Sequence, residues 1–183
     1  DRYDNDIGGI TYDHDDNSLR FTLNTAERIV VDSGGTVFLD GSLAMNGDTA
    51  AANQLDDYEE GTWTPGIKFG ATAATVSVTH ATYTKIGRMV HCMITGLRPT
   101  NFNGGTGNIS LTGLPFTSSA SYYYGTVQGS PMSMATGESF IQVYVESGTT
   151  ARFLVQSPTA HADITNGDCA TTTKFYGSFT YFV

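Results

Sequence analysis

Short runs in which apolar and polar residues alternate make up most of the chain, and clusters of turn-forming residues separate them at nearly even intervals. In residues 1–41 the alternating apolar positions are Ile10 and Tyr12, then Leu19, Phe21 and Leu23, then Ile29 and Val31, and finally Val37 and Leu39. The turn clusters that follow these runs are Asp13–Asn17, Asn24–Thr25, Asp32–Gly35 and Asp40–Gly41. Each run predicts a strand of about four to six residues with one apolar face, because successive side chains of a strand point to opposite faces.

The region 61–183 continues this β pattern. Val76 and Val78 alternate with polar residues, so one face of that strand is expected to be buried. Met89–Thr95 lacks polar alternation and is therefore expected to be covered on both faces. Further strands are predicted at Phe140–Val145, Ala151–Gln156 and Phe175–Phe182. Short, evenly spaced strands without long helices predict an all-β fold in which two antiparallel sheets form a jelly-roll-like sandwich.

The segment Leu55–Pro65, with the sequence LDDYEEGTWTP, separates the two parts of the chain. Its four carboxylates resist burial, since an unpaired buried charge costs several kcal/mol; they belong to Asp56, Asp57, Glu59 and Glu60. Gly61 then frees the backbone and marks the expected boundary. Trp63, the single tryptophan, is expected to plug one end of the core that follows.

Three regions follow from this boundary. Residues 1–41 form a β-rich segment, residues 42–60 a linker, and residues 61–183 the sandwich domain. Within the linker, Asp48 would cap one or two helical turns running into Leu55. Copies of the linker would pack around an axis with Leu55 inward.

The β-rich segment is too thin to bury its own apolar side chains. A segment of about 40 residues with so few inward apolar side chains cannot offset an ordering entropy of about 1–2 kcal/mol per residue. We therefore expect other copies of the chain to supply the missing surface, in an elongated, intertwined homo-oligomer.

Two cations in the sandwich region are expected to pair with the acidic segment Leu55–Pro65, which we call the joint. Lys85 and Arg88 flank Ile86–Gly87, and Gly87 is expected to make the turn of a hairpin. Both cations would pair with carboxylates of the acidic segment, in the same chain or a neighbouring one, and this structural role is favoured over a catalytic one. The residues assigned to the joint and to contacts between copies are Leu55, Asp57, Glu59, Trp63, Lys85 and Arg88.

Charge and composition narrow the classes of partner. The 183 residues carry a net charge of −9 and only nine scattered basic residues, which argues against nucleic acid or an anionic membrane as partner. No run approaches the roughly 20 apolar residues of a membrane span, and no signal peptide is recognisable. Because the first residue is Asp1 rather than Met, we expect a fragment or a processed product. Cys92 and Cys169 are interpreted as small buried hydrophobic residues rather than as a disulfide.

Metal and nucleophile chemistry have little support in the sequence. Asp13, Asp15 and Asn17 fit the first positions of a calcium loop, but Ser18 and Asn24 stand where an EF-hand needs Gly and Glu, so a turn is favoured over a metal site. The four histidines lie near no nucleophile motif; they are His14, His80, His91 and His161. No metal and no cofactor are expected.

Several motifs, in order, resemble a known family. Residues 8–41, GGITYDHDDNSLRFTLNTAERIVVDSGGTVFLDG, resemble a repeat of bacteriophage tail fibres. LDDYEEGTWTP at 55–65, YTKIGRMV at 83–90 and GNISLTGLPF at 107–116 resemble, in that order, the C-terminal domain of such fibres. The likeness covers most of the chain up to Phe116. It implies a shaft or neck at 1–41, a receptor-binding tip at 61–183, a homotrimer, and a place on the tail of the virion.

From this resemblance we expect a non-catalytic adhesin that recognises a polysaccharide or a protein on the surface of a bacterial host. Aromatic faces stack on sugars or apolar groups, and Asn or Asp side chains bond hydroxyls. Other virion proteins would attach through a part of the fibre N-terminal to Asp1. The residues assigned to receptor binding are Asn101, Phe102, Asn103, Tyr122, Tyr123, Tyr124, His161, Asp163 and Asn166. For the three tyrosines, a role at the start of a strand and in the core is the stronger alternative.

Two other functions stay open. A fibre or decoration on the capsid head would use the same trimeric parts. A tailspike that cleaves polysaccharide would need two carboxylates about 5–10 Å apart in a groove, and Asp163 with Asp168 is the one pair in the sandwich region that shares a loop.

Overall fold

The computed structural model describes residues 7–45, 47, 50, 54–55, 57–120, 122–134, 136, 138, 140–157 and 160–183. These residues contain strands and turns and no helix. The all-β, antiparallel character predicted from the alternating pattern is confirmed. The chain divides into two compact units, Asp1–Asp56 and Asp57–Val183, each of which is described by itself.

The first unit contains a four-stranded antiparallel sheet in chain order. Its strands are β1 (Gly8–Asp13), β2 (Ser18–Leu23), β3 (Ala26–Val31) and β4 (Val37–Leu39). All four coincide with runs of alternating residues, and the predicted turns connect them. The backbone of Asn17, Asn24 and Thr25 takes the left-handed conformation, with φ between 53° and 63°. Asparagine tolerates this conformation better than most residues, which is why the turns form at these positions.

One face of this sheet is apolar from edge to edge. Register aligns Ile10, Phe21, Ile29 and Leu39 in one row across the four strands, and Tyr12, Leu19, Val31 and Val37 in the next. None of these eight side chains is buried, and Ile10 is 69% exposed. The buried apolar side chains of the described residues all belong to the second unit, between Trp63 and Tyr181. The outer strands of the sheet therefore expose their apolar side chains, and those of the two inner strands are only half-buried.

The linker contains an antiparallel bridge. The backbones of Leu43 and Leu55 exchange two N–H···O bonds of 3.0 Å, and the side chains of Ser42 and Gln54 are hydrogen-bonded beside them. Leu55 is 40% exposed. The predicted cap Asp48 lies outside the described residues, so the expected short helix stays a prediction.

The second unit is one continuous antiparallel sheet of twelve strands. Its first strands are β5 (Tyr58–Thr62), β6 (Gly66–Phe69), β7 (Thr72–Ala73), β8 (Thr75–Ser77), β9 (His80–Ile86) and β10 (Met89–Asn101). The rest are β11 (Ile109–Thr112), β12 (Tyr123–Met132), β13 (Ile141–Val145), β14 (Thr150–Gln156), β15 (His161–Asp163) and β16 (Cys169–Phe182). The spatial order is β5-β9-β10-β16-β12-β13-β14-β11-β6-β7, with β8 paired to β10 and β15 to β14.

The sheet curls over a single core. The rings of Phe153 on β14 and Phe175 on β16 stack with centroids 4.6 Å apart although two strands separate β14 from β16 in the sheet. Trp63 is buried, meets Phe179 edge-to-face at 6.2 Å, and donates its indole N–H to the carbonyl of Thr82 at 3.2 Å. The expectation that Trp63 is buried in this core is thereby confirmed. The strands thus enclose their interior like a sandwich while they stay hydrogen-bonded in one path.

Several local predictions are confirmed. Gly87, with φ of +54°, makes the turn between β9 and β10, and Glu146 bonds the Thr150 carbonyl in the turn between β13 and β14. The predicted burial of Val76 and Val78 is confirmed only for Val76, which is partly buried against the core. It is wrong for Val78, which lies beyond the end of β8 and is exposed. Cys92 and Cys169 are free thiols, the first buried and the second half-buried.

The prediction that Met89–Thr95 is covered on both faces is wrong for the single chain. Val90, Cys92 and Ile94 are buried, but Met89, His91 and Met93 lie on the outer face and are exposed. Polar alternation is missing from this strand although only one of its faces packs against the core. Register continues the apolar surface across four strands, in a row formed by Tyr58, Ile86, Met89 and Phe182.

Candidate functional site

Aromatic and charged side chains gather on the outer face of β12, β13, β14 and β15. Register places Tyr124 opposite Tyr144, and Tyr144 opposite Arg152. Directly paired residues point to the same face of a sheet, so these three side chains share the outer face. Tyr122 lies just before β12, and His161 and Asp163 end β15. We call these residues the tyrosine–arginine cluster: Tyr122, Tyr124, Tyr144, Arg152, His161 and Asp163.

The rings of the cluster surround Tyr144. Its ring centroid lies 5.1 Å from that of Tyr124 and 6.0 Å from that of Tyr122. The Tyr124 and His161 rings are inclined by only 30°, with centroids 6.0 Å apart. Tyr144 is 8% exposed, whereas Tyr122 is 76% and Tyr124 47% exposed. A nearly buried ring therefore supports accessible rings that solvent or a ligand can reach.

Arg152 joins the aromatic and acidic parts of the cluster. Its guanidinium carbon lies 5.1 Å from the centroid of the Tyr144 ring, a cation–π contact. Its Nη1 donates to Asp163 Oδ1 at 3.2 Å, and its Nε lies 3.0 Å from Glu146 Oε1. One cation thus stands between two carboxylates and forms an ion pair with each of them.

The backbone at Tyr122 is unusual. Its φ of +80° is in the left-handed region, which bulky residues rarely adopt. Such a conformation costs about 1–3 kcal/mol and is concentrated at functional positions. At this position it accompanies the most exposed tyrosine of the cluster.

The structure brings together four of the residues predicted to bind a receptor: Tyr122, Tyr124, His161 and Asp163. Tyr123, by contrast, faces inward, is half-buried, and meets the ring of Phe182 at 5.7 Å. The alternative of a core role thus applies to the middle tyrosine and not to its neighbours.

The side chains of the loop after β10 contact other parts of the same chain. Phe102 packs against the core, with its ring 4.4 Å from that of Phe69. The side-chain amide of Asn103 donates to the Ala73 carbonyl at 2.9 Å, and Asn101 Oδ1 accepts the Asn103 amide at 2.8 Å. These contacts hold the loop and β7 together, which is a structural role.

The loop between β15 and β16 is also held from within. Asn166 Oδ1 accepts the Gly107 amide at 2.8 Å, and the Asn166 amide donates to the Gly107 carbonyl at 3.1 Å. The Asp168 carboxylate accepts both the amide and the hydroxyl of Thr165 at 2.8 Å. Asp168 and Asp163 therefore bond to different protein groups.

At the joint, one of the two predicted ion pairs forms. Lys85 is buried and pairs with Asp57 of the same chain. Arg88 instead donates Nε to the Val183 carbonyl at 2.8 Å, so its expected pairing with the acidic segment is not found among the described residues. Glu59 accepts the Tyr83 hydroxyl, and this hydrogen bond raises the pKa of Tyr83 above its usual value. Asp56 lies outside the described residues.

The calcium-like run at Asp13–Asn17 forms a turn through its own side chains. Asp13 Oδ1 accepts the Asp15 amide at 2.9 Å, and Asn17 Oδ1 accepts the Tyr12 hydroxyl at 2.9 Å. Arg20 pairs with Asp16 at 2.5 Å. Hydrogen bonds from Ser18 are the main cause that lowers the pKa of Asp16, and the contact with Arg20 adds to it. Across the described part of the chain, no three acidic, histidine or cysteine side chains converge as a metal site would require.

Sequence reasoning missed Tyr144, Arg152 and Glu146. Tyr144 alternates with the buried Val143 and Val145, and Arg152 with the buried Ala151 and Phe153. This alternation would have placed both on an outer face. Their proximity to Tyr124 depends on which strands pair, which the pattern does not specify.

No protein-family model matches the chain, and comparisons with curated proteins and with solved structures find no significant match. Among the described residues, no helix has the length and apolar character needed to cross a membrane.

Proposed function

We propose that the chain is the distal region of a bacteriophage tail fibre and acts as a non-catalytic adhesin that binds the surface of a bacterial host. The observation that carries the proposal is the tyrosine–arginine cluster on an outer sheet face. There the accessible rings of Tyr122 and Tyr124 pack against the nearly buried Tyr144, which Arg152 contacts in turn. Such rigid amphipathic rings bind a ligand at a low entropic cost. The ordered tail-fibre motifs supply the biological setting.

The proposed assembly is a homotrimer with a jelly-roll-like tip. Its support is the apolar face of the four-stranded sheet, on which no side chain is buried in the single chain. The outer row of Tyr58, Ile86, Met89 and Phe182 offers a second surface for copies to share. Three copies would present three weak sites together, which raises avidity without new contacts.

The protein would belong to the virion tail, lie outside the host cell and assemble with other virion tail proteins. A catalytic role has less support. Asp163 pairs with Arg152 and Asp168 binds Thr165, so both acids of the candidate pair already have structural partners.

The test combines a measurement of oligomeric mass with an assay of binding to bacterial cells. Sedimentation of the purified protein is expected to give three times the chain mass. The protein should bind intact bacteria of a susceptible strain and block adsorption of the phage, and the double variant Tyr122→Ala/Tyr124→Ala should do neither. Tyr176→Ala is the control, because it removes an exposed tyrosine on β16 outside the cluster.

Three results would contradict the proposal. Failure of the parent protein to bind cells would exclude adhesion, and shortening of a surface polysaccharide during incubation would indicate a depolymerase. Antibody labelling on the capsid rather than on the tail would indicate a head fibre.

A further inference from the structure

We infer that the tyrosine–arginine cluster binds a neutral carbohydrate, stacked on Tyr124 with Tyr122 and His161 beside it. This inference rests on the proposed adhesin function and names the class of ligand. Sugars without a charged group offer two complementary surfaces: a flat face of C–H groups that packs on aromatic rings, and hydroxyls that exchange hydrogen bonds with polar side chains.

The arrangement of rings and polar groups suits such a ligand. The rings of Tyr124 and His161 are accessible and inclined by 30°, and Tyr124 packs against the almost buried Tyr144. The next row on the same face is polar, with Thr126 paired to Gln142. An apolar platform of this kind bordered by hydroxyl and amide groups matches a ligand that is apolar on one side and polar around its edge.

The charge balance of the cluster disfavours an acidic sugar. Arg152 is the one cation, and two carboxylates, Glu146 and Asp163, already lie within 3.2 Å of its nitrogens. The three groups together carry a net charge of −1, in a chain whose net charge is −9. A carboxylate or phosphate on the ligand would meet a cation that is already neutralised and two like charges, which costs binding energy.

Saturation-transfer NMR on the intact protein tests the inference. The probes are four neutral sugars, namely glucose, galactose, rhamnose and N-acetylglucosamine, and two anionic sugars, glucuronate and galacturonate, all at millimolar concentration. We expect transfer to at least one neutral sugar and weaker transfer to both anions. Tyr124→Ala should weaken the neutral binding at least about tenfold, whereas Tyr124→Phe keeps the ring and should retain it.

A variant that removes the negative charges beside Arg152 tests ligand binding by a gain of affinity, which a purely structural role of these residues would not produce. Glu146→Gln/Asp163→Asn removes both carboxylates from Arg152, and this variant is expected to gain binding of glucuronate or galacturonate. Tyr176→Ala is the control and should bind neutral sugars like the parent. Far-ultraviolet circular dichroism verifies that each variant is folded.

Absence of transfer to every neutral sugar would overturn the inference, and so would stronger binding of the anions by the parent or full binding by Tyr124→Ala. These failures are distinct from failure of the adhesin proposal. If cells bind in a Tyr124-dependent manner while no sugar does, the receptor is a protein and the adhesin function stands. If the protein binds sugars but does not bind cells, the carbohydrate site is supported and the adhesin function is not.

Discussion

The buried Lys85 forms an ion pair with Asp57 of the same chain, and its ammonium lies 5.5 Å from the centre of the Phe116 ring. The two partners differ in environment, since Lys85 is 7% exposed and the Asp57 side chain 45% exposed. The pair therefore stabilises the second unit. Removal of the carboxylate and removal of the ammonium are expected to lower its stability by different amounts.

We expect Asp57→Ala to destabilise the protein more than Lys85→Met. The first variant leaves a buried ammonium without its carboxylate, at a cost of about 1–3 kcal/mol. The second leaves a carboxylate that water can solvate and fills the site with an unbranched apolar chain, at a cost below about 1 kcal/mol. Denaturant unfolding measures both. Glu60→Ala, an exposed acid on β5, is the control, and the reverse order would show that the pair is not stabilised as described.

Neighbouring residues on opposite faces of β1 test the role of the apolar sheet face. Ile10→Asp places a charge in the exposed apolar row, whereas Thr11→Asp places the same charge on the other face. If copies of the chain bury the apolar row, the first variant should dissociate to single chains in sedimentation and the second should not. Equal masses for the two variants would indicate that this face is not shared between copies.

Gly125 is expected to tolerate no side chain. A Cβ there would lie 2.1 Å from the Cβ of Phe179 and 2.6 Å from its Cα, so the backbone of β16 would have to move. We expect Gly125→Ala to cost about 3 kcal/mol or more. Gly167→Ala is the matched control, since its nearest contact is an ordinary 3.5 Å to Thr165 Oγ1. Similar melting temperatures for the two variants would contradict the close packing of β12 on β16.

The two thiols are expected to be unreactive in the folded protein. Burial raises the pKa of Cys92 to about 12, and burial together with Asp168 raises the pKa of Cys169 to about 12. At pH 8 the thiolate fraction is then on the order of 10⁻⁴, and it increases as pH approaches 12. Ellman's reagent at pH 8 should label neither thiol in the native protein and both in denaturant. Rapid labelling of the native protein, or no labelling of the unfolded and unreduced protein, would contradict this.

The alternating pattern predicted several strands because burial on one face constrains every second residue. Ile141–Val145 is a clear example, whereas the predicted strand Phe175–Phe182 is the end of a longer strand that begins at Cys169. The pattern failed at Met93, where an apolar side chain lies on the outer face, because hydrophobicity alone does not distinguish the core from a surface that another molecule would cover. The opposite error occurred at Phe102, which was assigned to receptor binding. Its loop folds back, and its ring packs against Phe69.

The candidate site was predictable only in part, because it depends on the pairing of distant strands. Tyr124 and His161 were identified from their loops, but Arg152 reaches them through the register of β12, β13 and β14. Such pairing joins residues that are far apart in the sequence. The alternation of residues within one sequence indicates where each strand lies, but it indicates only weakly which strands are neighbours.

Along β13 and β14 the outward Tyr144 and Arg152 alternate with the inward Val143 and Ala151, so the surface and the interior use different positions of the same strands. Variation at the outward positions can therefore change which molecule is recognised without disturbing the packing beneath. A combinatorial library randomised at positions 122, 124, 152, 161 and 163, with the nearly buried Tyr144 retained, offers a route to binders of new specificity on an unchanged scaffold.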